Sequence, residues 1–346
     1  MRKAVIFAVM NDEWKQYMNE KISALHRIVE ESEPNICEIT VMQDGKVCYE
    51  DYWNGFQPGD ALNVMSVTKS VIALLTGIAI DKGYIESVEQ KVLDFFPEYT
   101  VKRGEKTIYD VTIRHLLTMT APYKYRSEPW TKVCTSDDWT KAALDLLGGR
   151  SGITGEFKYS TLGIQIMSGI IENTTGRKLI DFANEYLFEP LGIPKHVNHG
   201  ASSKEDQFDF LMNKGPRKPE WYSDPQNTVT AGWGLTLSAT DMVRLGQMCL
   251  DGGMFLGKRI ISENWIKEMT TPYQDQGERF GYMSYGYLWW ITDKEKGNFA
   301  AIGDGGNVIY VNPEKKVVAG VAGTFKPRIF DRVDFIEQKV LPLVLQ

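Results

Sequence analysis

Apolar residues recur along this chain at several distinct periods, and each period predicts a different kind of element. From Glu13 to Val29, the residues Trp14, Tyr17, Met18, Ile22, Leu25 and Ile28 follow one another at three- and four-residue steps, the spacing of a helix with one face against a partner. Cys37 to Met42 and Lys46 to Trp53 are short β-rich runs on either side of Asp44-Gly45, a pair that favours a tight hairpin turn. Val67 to Ile80 is apolar on nearly every side, which predicts a helix buried inside the protein, and Lys82-Gly83 supplies its stop.

Residues 90 to 280 read mostly as helices and loops, with helical patterns at Ile113 to Met119, Leu162 to Ile171, Leu179 to Leu187, Ala239 to Leu250 and Ser262 to Met269. A loop-rich stretch from Lys195 to Thr230, carrying Pro216, Pro219 and Pro225, interrupts them. Tyr285 to Thr292, Phe299 to Gly303, Asn307 to Asn312 and Lys316 to Val321 then predict an antiparallel meander, and Phe330 to Val340 a last helix stopped by Pro342. This order predicts an α+β protein: an antiparallel sheet built from both ends of the chain, flanked by N- and C-terminal helices, with a large helical insertion. Residues 1–346 form one unit on this reading, with a sheet lobe at 1–65 and 281–346 and a helical lobe at 66–280.

Composition narrows the class. A chain of 346 residues builds a full-sized core without disulfide or metal staples. Its 39 Lys and Arg against 45 Asp and Glu leave a net charge of −6, which offers no electrostatic reason to bind nucleic acid or an anionic membrane. Cys37, Cys48, Cys134 and Cys249 lie far apart with no Cys-x-x-Cys pair, and read as free thiols. Met1-Arg2-Lys3 and the apolar run Ala4 to Met10 superficially resemble a signal peptide. The run is short, however, and Asn11-Asp12-Glu13 follows where small residues would prepare cleavage, so a cytoplasmic location is expected. Nothing in the sequence resembles a membrane span.

The common catalytic signatures are absent: no Gly-x-Ser-x-Gly elbow, no His-Glu-x-x-His, no P-loop, no Gly-x-Gly-x-x-Gly after a strand. Of the four histidines, His26 lies on the first amphipathic helix and His115 among apolar neighbours. His196 and His199 form a His-x-x-His pair with no acidic ligand beside it in the sequence, which argues against a metal site. Neither a metal nor an organic cofactor is expected.

What remains is Ser66-Val67-Thr68-Lys69. The Ser and Lys content of the chain yields about one Ser-x-x-Lys by chance, so position carries the argument. Ser66 opens the buried helix, and Lys69 lies one turn along on the same face. Unpaired N–H groups at a helix start favour an anion, and burial would depress the lysine pKa until it accepts the serine proton. The competing reading is an N-capping serine with a lysine that snorkels to solvent.

Ser66 to Lys69, the phrase Val111 to Thr120, the segment Ala231-Gly232-Trp233-Gly234-Leu235 to Asp241, and Pro313-Glu314 together resemble the serine β-lactamase and penicillin-binding-protein superfamily. The resemblance is closest to its class C-like branch of esterases, amidases and peptidases, and covers about residues 35 to 325. It implies a β-lactamase/transpeptidase-like fold and an acyl-enzyme mechanism. The family's Tyr-x-Asn motif is matched by Tyr159-Ser160-Thr161, which makes Tyr159 the shared proton carrier, shifted toward phenolate by the neighbouring lysine; Thr161 departs from the family Asn. The family's Lys-Thr-Gly strand motif matches in either of two registers, Asp304-Gly305-Gly306 or Ala301-Ile302-Gly303. The second is preferred, and gives Ser66 and Asp304 backbone N–H groups as the oxyanion hole. Either register lacks the family's cation, which disfavours β-lactams and peptidoglycan and favours a neutral or cationic substrate.

The expected substrate contacts are therefore Thr161, Gly303, Asp304, Gly305 and Trp233, the last bordering the cleft together with Trp130. The expected function is a serine hydrolase acting on a small ester or amide. A β-lactamase or D-Ala-D-Ala carboxypeptidase is the alternative within enzymes, and a non-catalytic penicillin-binding-like protein the alternative outside them.

Overall fold

In the computed structural model, an eight-stranded sheet gathers both ends of the chain. It describes residues 12–345, with side chains from Glu20 onward, so the expectation drawn from the first eleven residues lies outside the described part. Strand order begins with β2 (Lys46–Tyr52) and β1 (Ile36–Gln43), then runs through Val317–Gly323, Asn307–Asn312, Asn298–Gly303, Trp290–Asp293, Ser284–Tyr285 and Gln274–Asp275. Every pairing is antiparallel. The β1–β2 turn places Asp44 at φ 48° and Gly45 at φ 74°, the left-handed pair that matches strand twist in a two-residue hairpin. β1 pairs with Val317–Gly323, which closes the sheet between chain segments almost 300 residues apart.

One expected strand, Tyr285 to Thr292, is instead a hairpin. Leu288 takes φ 57°, and Ser284 and Tyr285 fold back to pair with Ile291 and Trp290. Its continuous apolar run hid the turn, because both arms and the turn itself are buried. The sheet also takes in Gln274–Asp275, earlier than residue 281.

Helix α1 (Asp12–Ser32) buries Leu25 and Val29 in the core and donates from Lys21 Nζ to the Pro342 carbonyl at 3.3 Å, so the terminal helices meet. Pro342 does not stop the last helix. It falls in the first turn of Leu341–Val344, after a π-turn at Ile336–Val340, where its missing N–H is not needed. The helix Ala239–Leu250 lies across the sheet, started by a Ser238–Asp241 capping box. Gly246 brings it close enough that a Cβ there would lie 2.5 Å from Val318 Cγ1.

Helix α2 (Val67–Asp81) is the internal helix that the apolar run predicted, with every residue from Val67 to Ala79 buried. A Cβ on Gly77 would fall 2.2 Å from Trp265, whose Nε1 donates to the Ala73 carbonyl at 3.0 Å. That contact pins the helix against Glu263–Met269. The stretch expected to be loop, 195–230, holds a helix at Lys204–Met212 and a parallel strand pair, Val197–Gly200 with Glu220–Ser223. Its amphipathic signal is weak because only Phe210 is fully buried. No helix among the described residues is long and apolar enough to cross a membrane.

Candidate active site

Asn63 and its neighbours set Ser66 in place. Val64 N donates to Leu235 O at 3.0 Å, and Asn63 Oδ1 accepts from Met65 N at 3.1 Å and Gly234 N at 3.2 Å. Met65 is thereby held at φ 51°, a left-handed conformation that a non-glycine residue adopts only when its surroundings enforce it. The next residue, Ser66, begins α2 with φ −70° and ψ −6°, and its hydroxyl caps no backbone group. The N-capping alternative is thus excluded, and the half-buried Oγ is left for chemistry.

Lys69 Nζ lies 2.8 Å from Ser66 Oγ and donates to the Gly232 carbonyl at 2.8 Å. The side chain is 1% exposed, so it does not snorkel. Burial lowers its pKa to about 7, against the opposing pull of the Glu128 and Asp304 carboxylates. Gly232, quoted in the sequence but not singled out there, matters because a Cβ on it would sit 2.6 Å from the Thr161 carbonyl and 2.7 Å from Thr161 Cγ2. Only glycine lets this backbone reach the lysine.

Lys69 Nζ lies 4.9 Å from the centre of the Tyr159 ring, which puts that ring beside the Ser66–Lys69 pair. The ring stacks on Trp290 at 6.3 Å and 22°. The expected shift toward phenolate is reversed: burial pushes the phenol up, and Asp304 and Glu128 push the same way, outweighing the lowering influence of Ser66. Tyr159 therefore stays protonated at neutral pH.

Glu128 escaped the sequence reading because it belongs to no motif. Its carboxylate accepts from Ser160 Oγ at 3.0 Å and Leu162 N at 2.7 Å, which fixes the loop that carries Tyr159 and Thr161. Met119, at φ 56°, accepts from Lys158 N at 2.7 Å and ties the same loop from the other side.

Gly303 ends its strand directly against Ser66: a Cβ there would lie 2.3 Å from Val64 O and 3.0 Å from Ser66 N. Asp304 follows, exposed, on the turn to Asn307. Asn307 Nδ2 donates to Asp304 O at 2.9 Å, Gly306 N to Gly303 O at 3.1 Å, and Gly305 N to Ile329 O at 2.9 Å. Gly305 O accepts from Asn35 Nδ2 at 2.9 Å and from Arg332 Nη1 at 2.8 Å. Both backbone groups of Gly305 are thus committed to holding the turn. Arg332, 3% exposed, comes from the C-terminal segment and gave no sequence signal.

Trp233, next to Gly232, is 5% exposed and stacks on Tyr222 at 4.9 Å and on Trp139 at 6.2 Å. Trp130 stands exposed two residues after Glu128. His196 is buried with both ring nitrogens on backbone carbonyls, Pro194 at 2.9 Å and Thr236 at 2.6 Å. The fold does bring carboxylates to His199, Glu220 at 3.0 Å and Asp206 at 3.1 Å, so each of its ring nitrogens is also engaged. Among the described residues no group of three or more His, Cys, Asp or Glu is arranged to hold a metal ion.

The family model for Beta-lactamase matches residues 38–336, and the chain belongs to this family of β-lactamase-fold hydrolases. A 6-aminohexanoate-dimer hydrolase of Paenarthrobacter ureafaciens is 28% identical over 297 residues, covering 79% of this chain and 68% of that protein. Among solved structures, EstCE1, a hydrolase with promiscuous acyltransferase activity, superposes with a TM-score of 0.71 at 15% identity, covering 97% of this chain and 100% of that one. A penicillin-binding protein homologue from Caulobacter crescentus gives 0.65 at 17% identity, with 89% and 92% covered. These structural likenesses are likenesses of fold.

Proposed function

We propose that the protein is a serine hydrolase that forms an acyl-enzyme through Ser66 on a small neutral or cationic ester or amide. The observation that carries this reading is the 2.8 Å contact between Ser66 Oγ and a fully buried Lys69 whose pKa lies near 7. In its neutral form Lys69 takes the Ser66 proton as the oxygen attacks the substrate carbonyl. Backbone N–H groups of Ser66 and Asp304 receive the developing oxyanion, each worth about 2.7–4 kcal/mol in such sites. Tyr159, held as a phenol, passes its proton to the leaving oxygen or nitrogen and is reprotonated from Lys69. Water then repeats the sequence on the acyl-enzyme and frees Ser66.

The missing cation supports the substrate class. Ala301 is fully buried, while the exposed Asp304 carboxylate beside Ser66 repels an anionic group and attracts an ammonium. A 6-aminohexanoate dimer, named in the relative, is an amide with an ammonium at one end and a carboxylate at the other, so Asp304 suits only its amine-bearing arm. β-Lactams and D-Ala-D-Ala peptides carry a carboxylate where this site offers none of the usual positive charge.

Intact-protein mass spectrometry after fluorophosphonate treatment tests the mechanism: one adduct is expected on the wild type and none on Ser66→Ala. No adduct on the wild type, the result expected of a non-catalytic binding protein, or an equal adduct on the variant, would sink it. Hydrolysis of a chromogenic cephalosporin as fast as a p-nitrophenyl ester overturns the substrate preference.

A further inference from the structure

We propose that Phe157, Phe280 and Phe330 form an apolar subsite that takes a hydrocarbon arm of the substrate, alkyl or aryl. The inference rests on the hydrolase reading above and deepens it. The three rings come from three separate segments: the loop two residues before Tyr159, the turn Glu278–Phe280, and the chain beyond the last strand. They form a chain of contacts. Phe157 lies 6.4 Å from Tyr159 and 5.9 Å from Phe280, with ring planes at 76° to the latter, and Phe280 lies 5.7 Å from Phe330 at 60°.

The far end of this row reaches the other half of the machinery. Ile329, the neighbour of Phe330, accepts the Gly305 N–H and so anchors the row to the turn that bears Asp304. Behind the three rings lies a second aromatic layer that is closed to solvent: Trp290 is 2% exposed and Tyr285 1%. Trp290 touches Phe280 at 5.2 Å and Phe330 at 5.4 Å, and Tyr285 meets Phe157 at 5.2 Å. The front layer remains only partly buried. Core packing closes the rear layer completely, whereas the three front rings pack on it with one side and keep part of their surface open between Tyr159 and the Asp304 turn. Such rings gain by covering hydrocarbon, at about fourfold in transition-state binding for each methylene removed from water.

Two ester series test this. In one, p-nitrophenyl esters lengthen the acyl group from acetate to octanoate; in the other, acetates of primary alcohols lengthen the leaving group from ethyl to octyl. We expect kcat/KM to rise at least tenfold along one of the two series, which also tells on which side of the scissile bond the arm lies. Phe280→Ala/Phe330→Ala is expected to reduce that long-to-short ratio at least fivefold, and the paired Leu variant, which keeps apolar bulk, to retain most of it. Fluorophosphonate labelling of each variant verifies a folded site. A flat wild-type response in both series, or an unchanged ratio in a labelled Ala variant, overturns the subsite while leaving the hydrolase reading intact. Absence of any ester hydrolysis together with absence of labelling takes down both.

Discussion

Lys69 carries a charge problem that becomes its chemistry. Burial at the start of α2 favours the neutral amine, while Glu128 and Asp304 favour the ammonium, and the balance lies near neutrality. Because only the neutral form accepts the Ser66 proton, kcat/KM for a neutral p-nitrophenyl ester is expected to rise with pH on a single-proton limb centred near 7. Asp304→Asn removes one of the stabilising anions, so the midpoint in the same assay is expected to move down. Tyr159 has the opposite assignment. Its phenol is held protonated, so Tyr159→Phe removes the proposed proton donor while keeping the ring on Trp290. A fall of about 10²–10⁴ in kcat is expected, with thermal unfolding near that of the wild type; kcat within a factor of a few of wild type would remove Tyr159 from the mechanism.

The turn between the strands ending at Gly303 and starting at Asn307 works as one element. Arg332 donates from Nη1 to both Gly305 O and Gly306 O and from Nη2 to Asn35 Oδ1, while Asn35 Nδ2 also holds Thr324 O at 2.7 Å. A Cβ on Gly306 would lie 2.5 Å from Arg332 Nη1, so the glycine is what lets the guanidinium approach. In the proposed mechanism, Arg332 is therefore a positioning residue for the Asp304 N–H. Arg332→Ala is expected to lower kcat by about 10²-fold, the scale of one misplaced oxyanion donor. The midpoint of the pH profile is expected to stay put, because Lys69 is not touched. Arg332→Lys restores one donor and is expected to recover part of the loss; a shifted midpoint or a pure KM effect contradicts the positioning role.

For the molecule as a whole, burying an ionisable lysine costs stability in return for reactivity. The folded state holds the Lys69 pKa near 7 against an ordinary 10.5, so it binds fewer protons than the unfolded chain between those values. The penalty is full below pH 7 and fades as pH rises toward 10.5. Lys69→Met keeps the volume, loses the Gly232 hydrogen bond and removes the penalty. Urea unfolding at pH 6 is expected to show it more stable than wild type by about 2–4 kcal/mol, with the advantage shrinking by pH 10 and hydrolysis abolished. Equal stability at pH 6 would mean that the site relaxes around the charge.

The sequence by itself determined the elements whose signal is local. The buried helix was legible from its unbroken apolar run, the Asp44-Gly45 hairpin from its turn pair, and the meander from period and turn residues. Ser66 and Lys69 were legible because helical spacing alone puts them on one face; Tyr159 needed the family motif. Only the tertiary structure decided the rest, because each further feature depends on chain segments distant in sequence. Glu128 reaches Lys69 and Tyr159 by through-space charge, and Gly232 supplies a carbonyl from 163 residues away. Arg332 holds its turn from the C-terminal segment beyond the last strand, and three phenylalanines without common periodicity meet in one row. The direction of the Tyr159 shift was decided there too: a neighbouring lysine argues for phenolate in sequence, but desolvation among Trp290, Tyr285 and Phe157 penalises the anion more than any local partner stabilises it.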